Sequence, residues 1–278
     1  MLARISSMIV LWAIATLSII YGQSYGFAVI IAMLALAANF EVCALLRKME
    51  LKPSLWYIQT TTIIIFICST NLLEGKQLFI SEWIGVFSVA ILVLSIVKSP
   101  YDDYFKKTVL PTALTIFIVP FMLKNYALIA SLGDGFKYVM VAVWVIAAAK
   151  FSDVGAYVIG CAFGHHKMAP TMSPNKTWEG AVGGIISSAI IGAVISGFCT
   201  KYGIFPARLT PLATALISMP IGMVAIVSDL LESVLKRRAG VKDSGAIIPG
   251  IGGALDLADS LLLVAPIISL IFLFTYAR

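Results

Sequence analysis

"GFAVIIAMLALAANFEVCALL", residues 26–46, carries a single charged side chain. A helix of about 20 residues covers about 30 Å, the thickness of a bilayer's hydrocarbon core. Comparable apolar runs lie at about 8–22, 55–73, 78–97, 108–123, 138–160, 180–198, 210–235 and 253–276. They are continuous rather than alternating in polarity, which argues against a transmembrane β-barrel. The expected fold is therefore all-α: a polytopic bundle of about nine transmembrane helices. Two features complicate the count. Pro111 and Pro120 interrupt the fifth run. Arg4 ahead of the first has the form of a signal peptide, but no small-residue cleavage site follows, so that run is expected as a retained span.

Composition agrees. Of 278 residues, 60% are hydrophobic and 12% charged, against about 25% charged in soluble domains. With the N-terminus in the cytoplasm, 13 of the 20 Lys and Arg fall on cytoplasmic segments, the sense of the positive-inside rule. The expected location is the cell (inner) membrane. A net charge of +6 without an extended soluble basic surface favours anionic headgroups or phosphates as partners rather than nucleic acid. The four cysteines are far apart and form no CxxC pair, so neither a structural zinc nor a disulfide framework is inferred.

The acids divide the chain. Seven are scattered through residues 1–135, several in loops. The other seven fall in two short blocks, 150–184 and 228–260. Charge near a bilayer centre costs about 2.5–3.5 kcal/mol per residue, so such acids usually face a bundle interior and mark function. Residues 1–149 are read as a transmembrane scaffold and residues 150–278 as the catalytic region.

In the first block, "KFSDVGAYVIGCAFGHHKMAPTMSPNKTWEGAVGG" (150–184), Lys150 and Asp153 have the spacing to neutralise each other on a helix. Ser173-Pro174 has the form of a helix start, and Lys176 beside it suits a phosphate. Gly180 and Gly184 read as a close helix seam. In the second block, Asp229, Glu232, Ser233 and Lys236 form one stripe at a helix end, and Asp256, Asp259 and Ser260 repeat the device. Between them lie Lys236, Arg237, Arg238 and Lys242, then Gly250, Gly252 and Gly253. Acids on neighbouring helix ends beside bases and bare backbone suit Mg²⁺ bound to substrate phosphates. Both histidines lie in the first block, and no Ser-His-Asp or Cys-His set is evident. Metal-assisted direct transfer is the economical inference.

"SVLKRRAGVKDSGAIIPGIGGALDLAD" (233–259) resembles the signature of the CTP:phosphatidate cytidylyltransferases, the CDP-diacylglycerol synthases. The match rests on Ser233, Lys236, Arg237, Lys242, Asp243, Gly245, Pro249, Gly250, Gly252, Gly253, Asp256 and Asp259. Asp229-Leu-Leu-Glu232-Ser233 resembles the family's D-x-x-E-S, and the first block its D-x-x-A-Y…S-P-N-K-T-x-E-G. The resemblance covers about residues 150–262. It implies a membrane-embedded homodimer that joins CTP to phosphatidic acid, releasing pyrophosphate, with no covalent intermediate and the active site facing the cytoplasm. It also implies Mg²⁺, with a second cation open, held by Asp229 and Asp256 with Asp259 in support. Lys236 and Lys242, with Asp229 and Asp256, are the expected catalytic groups. Ser173, Asn175, Lys176, Ser233, Arg237, Asp243, Gly252 and Gly253 are the expected substrate-binding residues.

The chain departs from the pattern at three positions. Ile251 stands where the family has histidine, Leu257 where it has arginine, and Ser228 where it has glycine. Arg238 is expected to supply part of the charge missing at Leu257. Two other readings stay open: a CTP-dependent lipid kinase acting on a polyprenol or diacylglycerol, and a non-catalytic transporter whose charges line a pathway.

Overall fold

The computed structural model describes residues 2–69, 103–133, 135–170, 173–245 and 252–276. The expected span at 78–97, the end of the run at 55–73, and Pro249, Gly250 and Ile251 lie outside them. The chain is built of helices, with one short hairpin. Five helical stretches are long and apolar enough to cross a membrane: Thr16–Lys48, Phe105–Ala130, Phe136–Phe163, Trp178–Lys201 and Pro211–Arg238. The molecule is an all-α membrane protein. It divides into two compact units, residues 1–128 with 238–258, and residues 129–237 with 259–278.

In the first unit, α1 (Leu2–Lys48) joins the first two expected runs, broken only by non-helical backbone at Gln23 (φ 46°). It ends on Arg47 and Lys48, cations beside the negative end of the helix dipole. α2 is Leu55–Ser69. α3 runs over Phe105–Ala130 and passes through both prolines. Proline lacks the N–H that an α-helix needs from its interior residues. Here Pro120 lies in a π turn, Phe117–Phe121, and Pro111 follows another, Phe105–Val109. The wider turn re-phases the ladder, so the helix continues. Cys43, Ile58, Ile65, Val109 and Ile116 form the shared apolar core of α1, α2 and α3. Asn39 joins it by donating to Thr62 Oγ1 at 2.9 Å.

In the second unit, α4 (Phe136–Phe163) and α5 (Trp178–Lys201) lie against each other along a seam of small residues. A methyl group on Gly180 would stand 2.7 Å from the Ala156 carbonyl, and one on Gly184 2.7 Å from that of Ser152. The GxxxG spacing thus means close packing, as expected. α6 is Pro211–Arg238, the last residue of which belongs to the first unit. Hydroxyls tie it in: Ser152 Oγ donates to Gly222 O at 3.2 Å, and Ser188 Oγ to Ser218 O at 2.7 Å. On α5, Val182, Ile186, Ile190, Val194 and Phe198 stay exposed at every fourth position, an apolar stripe suited to lipid.

The last run is not one continuous helix. α7 (Ala254–Ala258) and α8 (Val264–Tyr276) are separated by a turn. Ser228 supports the break: its hydroxyl donates to the Asp259 carbonyl and accepts from Leu263 N at 3.4 Å. The serine that replaces the family's glycine therefore satisfies backbone groups that the broken helix leaves open.

Candidate functional site

The second unit gathers most of the first block around the end of α6. β1 (Lys167–Ala169) and β2 (Ser173–Thr177) pair as an antiparallel hairpin, Lys167 opposite Thr177 and Ala169 opposite Ser173. Ser173-Pro174 is therefore strand rather than helix start. The N-cap of α5 is Thr177, whose side chain accepts from Gly180 N at 3.1 Å. Cross-strand pairing outweighs the local Ser-Pro signal, and the helix begins four residues later than expected. Glu179 then fastens the preceding turn: its carboxylate accepts from the backbone N–H groups of His165 and His166 and meets His166 Nδ1.

The hairpin places Ser173, Asn175 and Lys176 along a cavity of about 260 Å³ that Asp153, Tyr157 and Asp229 also line. Lys176 Nζ lies 2.6 Å from Asp229 Oδ2. One turn along α6, Glu232 is buried and pairs with Lys236 at 2.5 Å. Asp259 holds Lys150 at 2.9 Å, whereas Asp153 stands 3.9 Å from the same ammonium. The expected Lys150–Asp153 pair is thus secondary, because Asp259, in the turn after α7, comes closer. Asp229, Glu232 and Asp259 offer carboxylate oxygens within 4.8 Å of one another. Three acids packed so closely repel one another, and a lysine on each offsets that repulsion. Asp153 adds a fourth carboxyl beside them. Ser233 is half-buried and Arg237 exposed on α6.

Glu232 is the residue that sequence reasoning underweighted. The sequence pattern puts it in the polar stripe but does not mark it as a cation ligand, although its i, i+3 spacing from Asp229 sets both on one face.

The remaining predicted residues belong to the first unit. Lys242 and Asp243 are exposed. Gly252 adopts φ +123°, a region open to glycine and strained for other residues. The Asp256 carboxylate accepts from Gly253 N at 3.1 Å and Ser244 N at 3.2 Å. The first bond is the N3 half of a capping box at the start of α7. Gly253 N–H is thus committed to Asp256. The missing side chain of Gly253 leaves room for Ser244 Oγ, 2.1 Å from where a Cβ would lie, and for Glu41 Oε2 at 2.5 Å. Glu41 of α1 is buried. Its Oε2 accepts from Ser244 Oγ at 3.0 Å and from Leu255 N at 2.8 Å. Sequence reasoning counted Glu41 among the scattered acids of the scaffold. The available signal was its position, alone in an apolar run long enough to span a membrane.

The sequence profile of the cytidylyltransferase family matches residues 2–275. Across 293 aligned residues, the chain is 28% identical to a phosphatidate cytidylyltransferase of Haemophilus influenzae, covering 98% of each protein. Proteins of the same name from Staphylococcus haemolyticus and Helicobacter pylori are each 38% identical, over 144 and 146 residues. In both cases the alignment covers 52% of this chain and 52% of the relative. The family match takes in both units rather than the motif blocks alone, and the chain belongs to the cytidylyltransferase family.

Proposed function

We propose that this protein condenses CTP with phosphatidic acid to give CDP-diacylglycerol and pyrophosphate. The observation that carries the reading is the lysine-paired acid trio of Asp229, Glu232 and Asp259 beside the Ser173–Lys176 strand, in a chain of this family. The phosphatidate phosphate oxygen attacks the α-phosphorus of CTP. The bond from that phosphorus to the β-bridging oxygen breaks, and pyrophosphate leaves with the electron pair. No hydroxyl or thiol nucleophile of the protein is needed.

The donor set fits a hard divalent cation. Its ligand atoms are all carboxylate oxygens, the preference of Mg²⁺, which is usually held by one or two carboxylates plus substrate phosphates. Asp229, Glu232 and Asp259 would hold it, and when bound it would neutralise charge on the phosphates. The resemblance gives Asp256 a part in cation binding too, and a second cation belongs to the same proposal. Lys176 and Lys236 each hold an acid when no substrate is bound. Each has three N–H donors, so each can turn to a phosphate oxygen as charge accumulates there. Ser173, Asn175 and Ser233 offer neutral hydrogen bonds that orient the substrates, and Arg237, Lys242 and Asp243 steer them at the exposed surface. Gly252 and Gly253 shape the turn ahead of Asp256.

The same proposal includes about nine spans, a cytoplasmic N-terminus, a cytoplasm-facing active site in the inner membrane, and a homodimer. Incubating purified protein with phosphatidic acid, Mg²⁺ and α-labelled CTP tests it. Label in the lipid with equimolar pyrophosphate is expected. Label recovered as CDP would point to a lipid kinase, and unconsumed CTP to a non-catalytic protein; either outcome overturns the proposal.

A further inference from the structure

Glu41 sits in α1, far in sequence from both acidic blocks, yet its carboxylate is buried at 3% exposure. Burying a carboxylate is unfavourable unless its hydrogen bonds are supplied. Here the donors come from the loop that carries Asp256: the Ser244 hydroxyl and the Leu255 backbone N–H, both to Oε2. The other oxygen has no hydrogen-bond partner among the described residues. The fit is close on that side as well. A side chain on Gly245 would begin 2.4 Å from Glu41 Oε1, and one on Gly253 2.5 Å from Oε2. Two glycines of the motif thus leave the space that this acid fills.

The contacts lead on to Asp256. Ser244 meets Glu41 through its hydroxyl and Asp256 through its backbone N–H. Gly253 packs on Glu41 and donates to the same Asp256 oxygen. Leu255, the third contact, adjoins Asp256 in the chain. Both of these hydrogen bonds to the Asp256 carboxylate therefore come from residues packed on Glu41.

We infer that Glu41 is a positioning residue for Asp256, so that the N-terminal part of the chain helps to build the active site and is not only its wall. The inference rests on the proposed reaction for its catalytic consequence, though not for its structural one. Both bonds land on one oxygen, so Glu41→Gln can keep them through its amide oxygen, whereas Glu41→Ala loses both.

Two measurements on the full-length protein in detergent test it. In hydrogen exchange, the backbone amides of residues 253–258 are expected to exchange at least about tenfold faster in Glu41→Ala, since both hydrogen bonds are lost and one alone, at about 1.4 kcal/mol, corresponds to about tenfold. Glu41→Gln should stay within about threefold of the original protein, because it retains both acceptor contacts. In turnover, the Mg²⁺ concentration for half-maximal CDP-diacylglycerol formation should rise about tenfold in Glu41→Ala and stay close to the original in Glu41→Gln. Loss of folded protein alone lowers the maximal rate but leaves that midpoint in place. Unchanged exchange and midpoint in Glu41→Ala overturn the inference. So does a Glu41→Gln protein as impaired as Glu41→Ala, since charge rather than position would then matter. If Glu41→Ala does not fold, Ser244→Ala, which removes one of the two bonds, is expected to shift both readouts in the same direction; no shift overturns the inference. If the original protein makes no CDP-diacylglycerol, the proposed function fails, and the exchange arm still decides the role of Glu41.

Discussion

Replacing Lys236 by methionine isolates one ion pair of the site. The Lys236 ammonium lies 2.5 Å from Glu232, with side-chain exposures of 13% and 3%. At an effective dielectric of about 20, the gross attraction at that distance is about 7 kcal/mol. Desolvation opposes much of it, and removing one partner of a buried pair typically costs roughly 3–5 kcal/mol because the other charge is left uncompensated. Asp229 and Asp259, close to Glu232, raise that cost further. Lys236→Met is thus expected to lower the unfolding midpoint by roughly 6–20 °C, taking about 2–4 °C per kcal/mol in a chain of this size. The double variant Glu232→Gln, Lys236→Met removes both charges and should recover most of that loss while remaining inactive, short of one proposed cation ligand and one proposed phosphate-binding base. Thermal unfolding followed by tryptophan fluorescence in detergent, alongside the labelled-CTP assay, reads both effects. If Lys236→Met melts with the original protein, or the double variant melts no higher than the single, the pair does not carry the burden assigned to it.

Two further outcomes are expected. Asp256→Asn keeps an oxygen to accept from Gly253 N and Ser244 N but loses the charge, so turnover should fall about 10²–10³-fold with unfolding unchanged; an active Asp256→Asn protein would remove Asp256 from the catalytic set. Arg238→Ala should lower turnover several-fold if Arg238 supplies charge absent at Leu257, as the loss of an exposed charge of about 1 kcal/mol implies, and full turnover in that variant refutes the substitution idea.

The helical membrane character was legible because hydrocarbon thickness dictates run length, and most runs answer to helices at nearly the expected places. The departures have identifiable causes. Pro111 and Pro120 read as interruptions because a proline rule assumes α geometry, and π turns lie outside it. Ser173-Pro174 read as a cap because a three-residue strand such as Lys167–Ala169 is too short to announce itself. The break after Ala258 was invisible because its support, Ser228, lies 31 positions from its partner Asp259. At the site, Asp229, Lys176 and Asp259 were legible from type and spacing. Glu41 was not, since its partners are more than 200 positions distant, and no local pattern encodes a contact of that span.

The three lysine–carboxylate pairs have a consequence for how such a protein reaches the membrane at all. A trio of bare acids would have to be inserted as net negative charge, at a cost of a few kcal/mol each. With Lys150, Lys176 and Lys236 seated on Asp259, Asp229 and Glu232, the same groups enter lipid as dipoles, and the chain can fold before any cation arrives. If a divalent ion binds there as proposed, each carboxylate given to it would release an ammonium, and the ammonium groups so released would be free for the phosphates of the substrate.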